Sequence, residues 1–404
     1  MTTFVKMHSA SITTSNKRIA SIDLLRGIVM IIMALDHVRD YFHHDAFIYN
    51  PADLEKTNVL LFSTRFITHY CSPVFVFLAG ISANLYGQKR TKKQLAHYLF
   101  TRGLWLVFAE LFIVGFGRTF NPSFPLFNLQ VIWAIGISMM LLSVLIYLNR
   151  QFILIIGILL IAGHNLMDNV KINGSGMESF LWSVLHEPGQ FMIGRFKVVV
   201  HYPLIPWIGI MALGYYFGNL YHAGFNNKKR KSILLYSGFG ALTIFFILRL
   251  FNIYGDAEHW TIQKNTLFDL LSVLNVTKYP PSLLYTLVTL GPAMIFLALA
   301  ETALNVFTGK IAVFGKVPFF YYIVHVYLIH QLAVVAVVIS GHSWREMILS
   351  DNVNRVSELK SYGFNLFTVY AVWIVLILFL YPLCRWFDSY KRRHQSKQHW
   401  LSYL

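Results

Sequence analysis

Ten apolar runs, most of them long enough to cross a bilayer, divide this 404-residue chain along nearly its whole length. A helix rising 1.5 Å per residue needs about 20 apolar residues to span a hydrocarbon core of about 30 Å. The runs fall at about 20–42, 59–87, 97–117, 129–148, 151–164, 202–221, 232–254, 281–304, 317–340 and 364–387, the fifth being the shortest. In hydrocarbon every backbone N–H and C=O must find a partner within its own segment, so runs of this kind fold as helices. Composition agrees. The chain is 56% hydrophobic and 13% charged, where soluble domains average about 25% charged residues, and its mean hydropathy is +0.54. The expected fold is all-α: a polytopic integral membrane bundle of about ten transmembrane helices. No internal repeat, low-complexity linker or soluble domain is visible.

A formal net charge of +16 invites a nucleic-acid reading, but the basic residues alternate between connections. Lys17-Arg18, Lys89-Arg90 with Lys92-Lys93, Arg150, Lys228–Lys231, Lys310 with Lys316, and Lys391–Arg393 fall on one side. Segments 43–58, 118–128, 165–201, 255–280 and 341–363 fall on the other and hold most loop carboxylates. Excess Lys and Arg mark cytoplasmic loops. Both termini are therefore expected in the cytoplasm, with lipid and not nucleic acid as the partner. Cys71 and Cys384, both in apolar runs, allow no disulfide framework or CxxC site. The first run follows Lys17-Arg18, lacks a small-residue cleavage site and continues into polar residues, as a retained first helix does.

That first run, RIASIDLLRGIVMIIMALDHVRDYFHHD at residues 18–45, carries unusual charge at one end. Arg26 and His37 are eleven residues apart. That is three turns plus about 20°, so they share a face roughly 16 Å apart along the axis. Asp36, Arg39 and Asp40 crowd the turn around His37, and His43, His44 and Asp45 follow. The second run re-enters with Arg65, Thr68, His69 and Ser72 at i, i+3, i+4 and i+7, followed by Pro73. Intramembrane ionisable groups face a bundle interior, paired or lining a wet cavity, so Arg65 is expected to pair with Asp36 or Asp40. Structural salt bridges alone would account for the carboxylates and arginines. They do not account for histidines, which titrate near neutrality. A metal held by His37, His43, His44 and Asp45 fits no common zinc spacing, and no metal is expected.

Further along, His325 and His330 lie about 140° apart on one helix, so they cannot both face one ligand. At least one is expected to be satisfied by a neighbouring backbone group. Glu110 lies mid-run and needs a partner, with Arg102 or Arg118 in reach by snorkelling. Lys278-Tyr279-Pro280-Pro281-Ser282 is read as a rigid helix start.

The combination R-I-A-S-I-D-L-L-R-G, L-D-H-V-R-D, T-H-Y-C-S-P-V-F-V-F-L-A-G-I-S (68–82), N-L-Q-V-I-W-A-I-G (128–136), Y-P-L-I-P-W-I-G (202–209), K-Y-P-P-S-L-L (278–284) and G-K-V-P-F-F-Y-Y-I-V-H (315–325) resembles the prokaryotic relatives of heparan-α-glucosaminide N-acetyltransferase. The tail Y-P-L-C-R-W-F with the terminal W-L-S-Y-L fits too, so the resemblance covers nearly the full length. It implies a cytoplasmic tail at 1–18, a transmembrane catalytic domain at 19–388 and a basic cytoplasmic tail at 389–404, in a bacterial inner membrane. The Arg26-x10-His37 spacing is also similar to the wider transmembrane acyltransferase group, whose first-helix histidine is the catalytic base; that places the role on His37. In the lysosomal member of the nearer family an asparagine stands there, and the essential histidine follows a glycine-rich loop that this chain lacks. Counted that way, the role falls on His43 or His44.

The resemblance implies a membrane acyltransferase moving an acetyl group from cytoplasmic acetyl-CoA (or another acyl-CoA) to an amine or hydroxyl of a glycan or other small-molecule acceptor. His37, or His43 or His44, would take the acceptor's proton. Asp36 or Asp40 would orient the imidazole, and Arg65 or His69 would stabilise the oxyanion. Arg26, Lys89, Arg90, Arg102 and Gln130 are the candidate donor-binding residues, with Lys92 and Lys93 beside them. A homodimer is compatible with this reading. The alternative is a proton-coupled transporter built on the same Asp/His/Arg cluster, but no second cluster answers it around the sixth and seventh runs, as transporter symmetry would require.

Overall fold

The computed structural model describes residues 19–301 and 303–394; Lys17-Arg18 and the terminal W-L-S-Y-L lie outside them. Each of the ten apolar runs holds helix. α1 (Ala20–Phe42) fills the first, and α2 (Val59–Thr68) with α3 (Cys71–Gly87) fills the second. The third is carried by α4 (Lys92–Phe108), a π-helical segment Ala109–Val114 and α5 (Gly115–Thr119). Then come α6 (Val131–Leu145), α7 (Arg150–Gly163), the short α8 (Met177–Leu185), α9 (Leu204–Phe217) and α10 (Asn227–Leu250). The chain ends with short α11 (Thr266–Leu274), α12 (Leu283–Leu299), α13 (Val306–Lys316), α14 (Pro318–Ile339) and α15 (Leu366–His394). By length and composition six described helices can cross a membrane: Val59–Gly87, Lys92–Thr119, Arg150–Met167, α10, α14 and α15. Helices α6 and α12 are apolar but shorter. α1 has the length, but Asp23, Arg26, Asp36, Arg39 and Asp40 break its apolar character.

Three departures from the expected pattern have physical causes. The second run breaks at His69-Tyr70, because Pro73 lacks an N–H and its ring excludes the carbonyl of residue i−4, which is His69. That freed carbonyl accepts from the Tyr285 hydroxyl at 2.8 Å. The fold is also not purely all-α. A three-stranded sheet in the order β1-β3-β2 joins β1 (Leu126–Leu129), β2 (Gly189–Ile193) and β3 (Phe196–Val200). β2 and β3 form a hairpin turning at Gly194-Arg195, with Gly194 at φ +60°, and β1 adds parallel to the valine-rich β3. Lastly, Glu110 forms an ion pair with neither Arg102 nor Arg118: its Oε2 accepts from the Ile132 and Trp133 amides at 2.9 and 3.3 Å. A carboxylate at the start of α6 meets amides that no helix carbonyl can satisfy.

α1 is the hub, packed against α2, α3, α13, α14 and α15. α3 in turn lies in backbone contact with α9. A Cβ on Gly80 would sit 2.2 Å from the Met211 carbonyl oxygen, and one on Gly214 would sit 2.1 Å from that of Phe77. Small residues let helices approach this closely, which is how van der Waals packing holds bundles together in lipid. Gly80→Val or Gly214→Val is expected to force α3 and α9 apart at a cost of about 1–3 kcal/mol or more, read as a lowered thermal midpoint in detergent. Gly240→Ala, in open space on α10, should leave that midpoint in place.

Candidate active site

The charges at the end of α1 surround a cavity of about 490 Å³. Its wall includes Asp36, His37, Arg39 and Asp40 from α1, Arg65 and Thr68 from α2, and Arg118, Gln130, His201 and Lys278. Asp36 is the electrostatic centre. It accepts from Arg39 Nη2 at 2.6 Å, Arg65 Nη1 at 3.0 and 3.2 Å, and Thr68 Oγ1 at 2.8 Å. Arg39 is 1% exposed and also donates to Asp40 at 2.8 Å. The Arg65–Asp36 pair is therefore the one formed, and Asp40 keeps to the more exposed side of Arg39.

His37 does not take its orientation from Asp36 or Asp40. Its Nδ1 lies 2.7 Å from Nε2 of His325 on α14, and Nδ1 of His325 lies 2.9 Å from the Tyr321 carbonyl oxygen. A carbonyl can only accept, so His325 carries its proton on Nδ1 and offers the Nε2 lone pair. Nδ1–H of His37 donates to that lone pair, which leaves neutral His37 with an unprotonated Nε2. This is the tautomer a general base needs. His330, five residues on, sits between the Gly117 and Met347 carbonyls at 2.9 Å each and is a packing residue.

The other candidates separate by position. His43 is buried outside this wall, His44 is exposed beside Asp45 at 3.3 Å, and neither lines the cavity. His69 also lies outside it, its ring against Phe66 and Tyr285. The break before α3 turns it away from the stripe of Arg65, Thr68 and Ser72. Gln130 accepts from Arg118, which also donates to the Tyr322 hydroxyl at 2.9 Å. Lys278 and Tyr279, read from sequence as a helix start, prove to be cavity residues, with the Lys278 ammonium 5.2 Å from the Tyr279 ring centre. On the far wall His201 Nδ1–H donates to Asn128 Oδ1 at 2.7 Å.

A second cavity, of about 320 Å³, lies toward the other end of α1. Arg26, Arg102, Lys316 and Lys391 line it. Arg26 donates to Ser82 Oγ at 2.9 Å, to the Gly315 carbonyl at 3.1 Å and to Asp23 Oδ1 at 3.4 Å. The Tyr86 and Tyr98 rings stack at 3.8 Å in the same wall. Lys89 and Arg90 do not line it; Arg90 lies over Tyr86 from outside, and Lys92 donates to the Tyr147 carbonyl. Met33, Phe75 and Val131 line both cavities, so the two adjoin, one helical turn from His37.

The family model for heparan-alpha-glucosaminide N-acetyltransferase, catalytic, matches residues 18–249. That is more than half of the chain and includes Arg26, His37, Arg65, Arg118 and His201. The chain belongs to this family. With six described helices able to cross a bilayer, it is an integral membrane protein of an acetyltransferase family. No curated protein matches the chain. His325 and Lys278 lie beyond the matched segment, and sequence reasoning assigned neither to the site. The signal available for them was the presence of K-Y-P-P-S-L-L and G-K-V-P-F-F-Y-Y-I-V-H among the shared stretches, and their contact with α1 is tertiary.

Asp36→Ala would leave Arg39 and Arg65 charged without their common carboxylate, for which breaking a buried pair costs about 3–5 kcal/mol; the thermal midpoint should fall far more than for Asp45→Ala. Burial first, then the Arg355, Arg118 and Lys278 charges, pushes His201 down from 6.5 to about 4, with Asp351 opposing. Between those values the unfolded chain binds a proton that the folded chain refuses, so stability drops as pH falls from about 6.5 towards 4. Thermal melts across that window should show the drop, and His201→Asn should lessen it.

Proposed function

We propose that the protein transfers an acyl group from acyl-CoA, held in the cationic cavity, to an amine or hydroxyl of a sugar-class acceptor held in the cavity around His37. The observation that carries this reading is the base-ready Nε2 of His37, fixed through His325, in a cavity that shares Met33, Phe75 and Val131 with the cationic one. Arg26, Arg102, Lys316 and Lys391 supply the positive field that CoA phosphates need, and the apolar wall of Met30, Met33 and Ile135 suits a pantetheine arm. In this arrangement the thioester reaches past Met33 and Phe75. Charge alternation in the loops supports a donor cavity that opens to the cytoplasm, in a chain of ten spans with both termini on that side.

In the reaction, His37 Nε2 takes the proton from the acceptor amine or hydroxyl as its nitrogen or oxygen attacks the thioester carbonyl. His325 holds the imidazole through the Nδ1 bond and stabilises the imidazolium. The new C–N or C–O bond forms, and the carbonyl becomes an oxyanion within reach of cavity cations. Lys278 is the best placed for this, because Arg65 is already engaged by Asp36. Collapse breaks the C–S bond, and the imidazolium proton goes to the departing CoA thiolate. The acceptor would approach past Asn128, His201 and Asn352, side chains that offer both donors and acceptors to hydroxyl groups.

In purified protein with acetyl-CoA and an amino-sugar acceptor, His37→Ala should lower CoA release about 10²–10⁴-fold. His43→Ala and His44→Ala should stay near the unsubstituted rate. His325→Ala should lose most of the activity, and His325→Gln should recover part of it, as an orienting residue predicts. Full activity in His37→Ala would end the proposal. If reconstituted vesicles move the sugar without acetylating it, the transporter reading takes its place.

A further inference from the structure

Away from both cavities, three side chains converge where the end of α7 meets the end of α8. α7 passes into a 3-10 turn His164–Met167, Asp168 follows, and His186 caps the C-terminus of α8. One ligand atom from each of His164, Asp168 and His186 lies within 4.8 Å of the others. Nε2 of His186 is 3.4 Å from Oδ1 of Asp168, about the separation of two ligands held tetrahedrally at 2.0–2.1 Å from one ion.

A plain hydrogen bond between His186 and Asp168 does not account for His164. That side chain is 1% exposed, and the Pro281 carbonyl beside its ring can serve at most one of its two nitrogens, which leaves the other without a partner; His186 is 2% exposed. Buried polar atoms are nearly always satisfied, so the remaining His164 nitrogen calls for a missing partner. The surroundings are those of a metal ligand set. Asp168 Oδ2 accepts from Asn165 Nδ2 at 2.8 Å, which fixes the carboxylate. The Pro281 carbonyl lies beside the His164 ring, as an acceptor for whichever nitrogen does not ligate. Asp168 keeps 18% of its side chain exposed, which leaves an approach for the ion and a position for water.

We propose that His164, Asp168 and His186 bind a divalent transition-metal ion of the zinc class. Two imidazoles and one carboxylate suit Zn²⁺, and Co²⁺ as its substitute, whereas Mg²⁺ and Ca²⁺ take oxygen ligands. None of the three residues lines either of the two cavities described above, so the role assigned to the ion is structural. It joins the segment leading to β2 to the end of α7. Asn165 extends the link to α12, since its Oδ1 accepts from the Leu283 amide at 3.0 Å.

The test uses the full chain in detergent with any affinity tag removed, stripped with a chelator, dialysed against Zn²⁺ and analysed for metal by mass spectrometry. One zinc per chain is expected. Zn²⁺ but not Mg²⁺ should raise the thermal midpoint, and Co²⁺ should give the visible absorption of a tetrahedral site. His164→Ala and His186→Ala should weaken binding by more than ~100-fold, beyond the loss of an outer-sphere partner. Asp168→Asn, which keeps the side-chain shape, should weaken it without unfolding the chain. Absence of stoichiometric zinc in the unsubstituted protein, a result independent of any variant's folding, would overturn the proposal. So would undiminished binding in His164→Ala and His186→Ala.

Discussion

The carboxylate of Asp36 holds together two helices that would otherwise repel. Arg39 from α1 and Arg65 from α2 both close on it, and Thr68 adds a third donor. Two guanidinium groups away from bulk water are tolerable only with such a common partner, because the cost of desolvating each is several kcal/mol. That knot sets where α2 stands against α1. It also places Arg65, Thr68 and Ser72 around a wet space, since charge that cannot reach bulk solvent needs a cavity of its own.

With the carboxylate consumed by the arginines, the histidine next to it needs another orienting group. His325 supplies it from α14, itself anchored on the Tyr321 carbonyl one turn back. The division separates two tasks that a single carboxylate performs in many hydrolases. Asp36 carries charge and architecture; a neutral imidazole fixes the tautomer. A neutral partner suits a low-dielectric site, where a second buried carboxylate would need a cation of its own.

Two cavities on one helix give α1 its wider logic. Arg26 and His37 stand eleven residues apart on a common face, and Met33 between them lines both cavities. A helix able to do this must be charged at both ends and apolar in between, which is why it falls short as a simple membrane span. Close backbone contact between α3 and α9 brings Phe75 and Ser72 to the opposite wall without bulky intervening side chains. The break that Pro73 imposes takes His69 off the stripe, while Arg65, Thr68 and Ser72 still line the cavity.

From the sequence alone, the hydrocarbon requirement for internal backbone pairing determined ten helical runs, and helix period put Arg26 and His37 on one face. Opposite charge on adjacent runs narrowed the partner of Arg65 to Asp36 or Asp40, and packing then selected Asp36. Those features depend on local periodicity and nearest-neighbour connection, which a linear chain displays. The partner of His37, the buried place of Lys278 and the capping of α6 by Glu110 were decided only by tertiary structure. Each joins segments far apart in the chain, where many polar groups compete and only packing selects one. The three-stranded sheet belongs with them, since β1 pairs with a strand about 70 residues later and four residues carry too short a pattern to announce it.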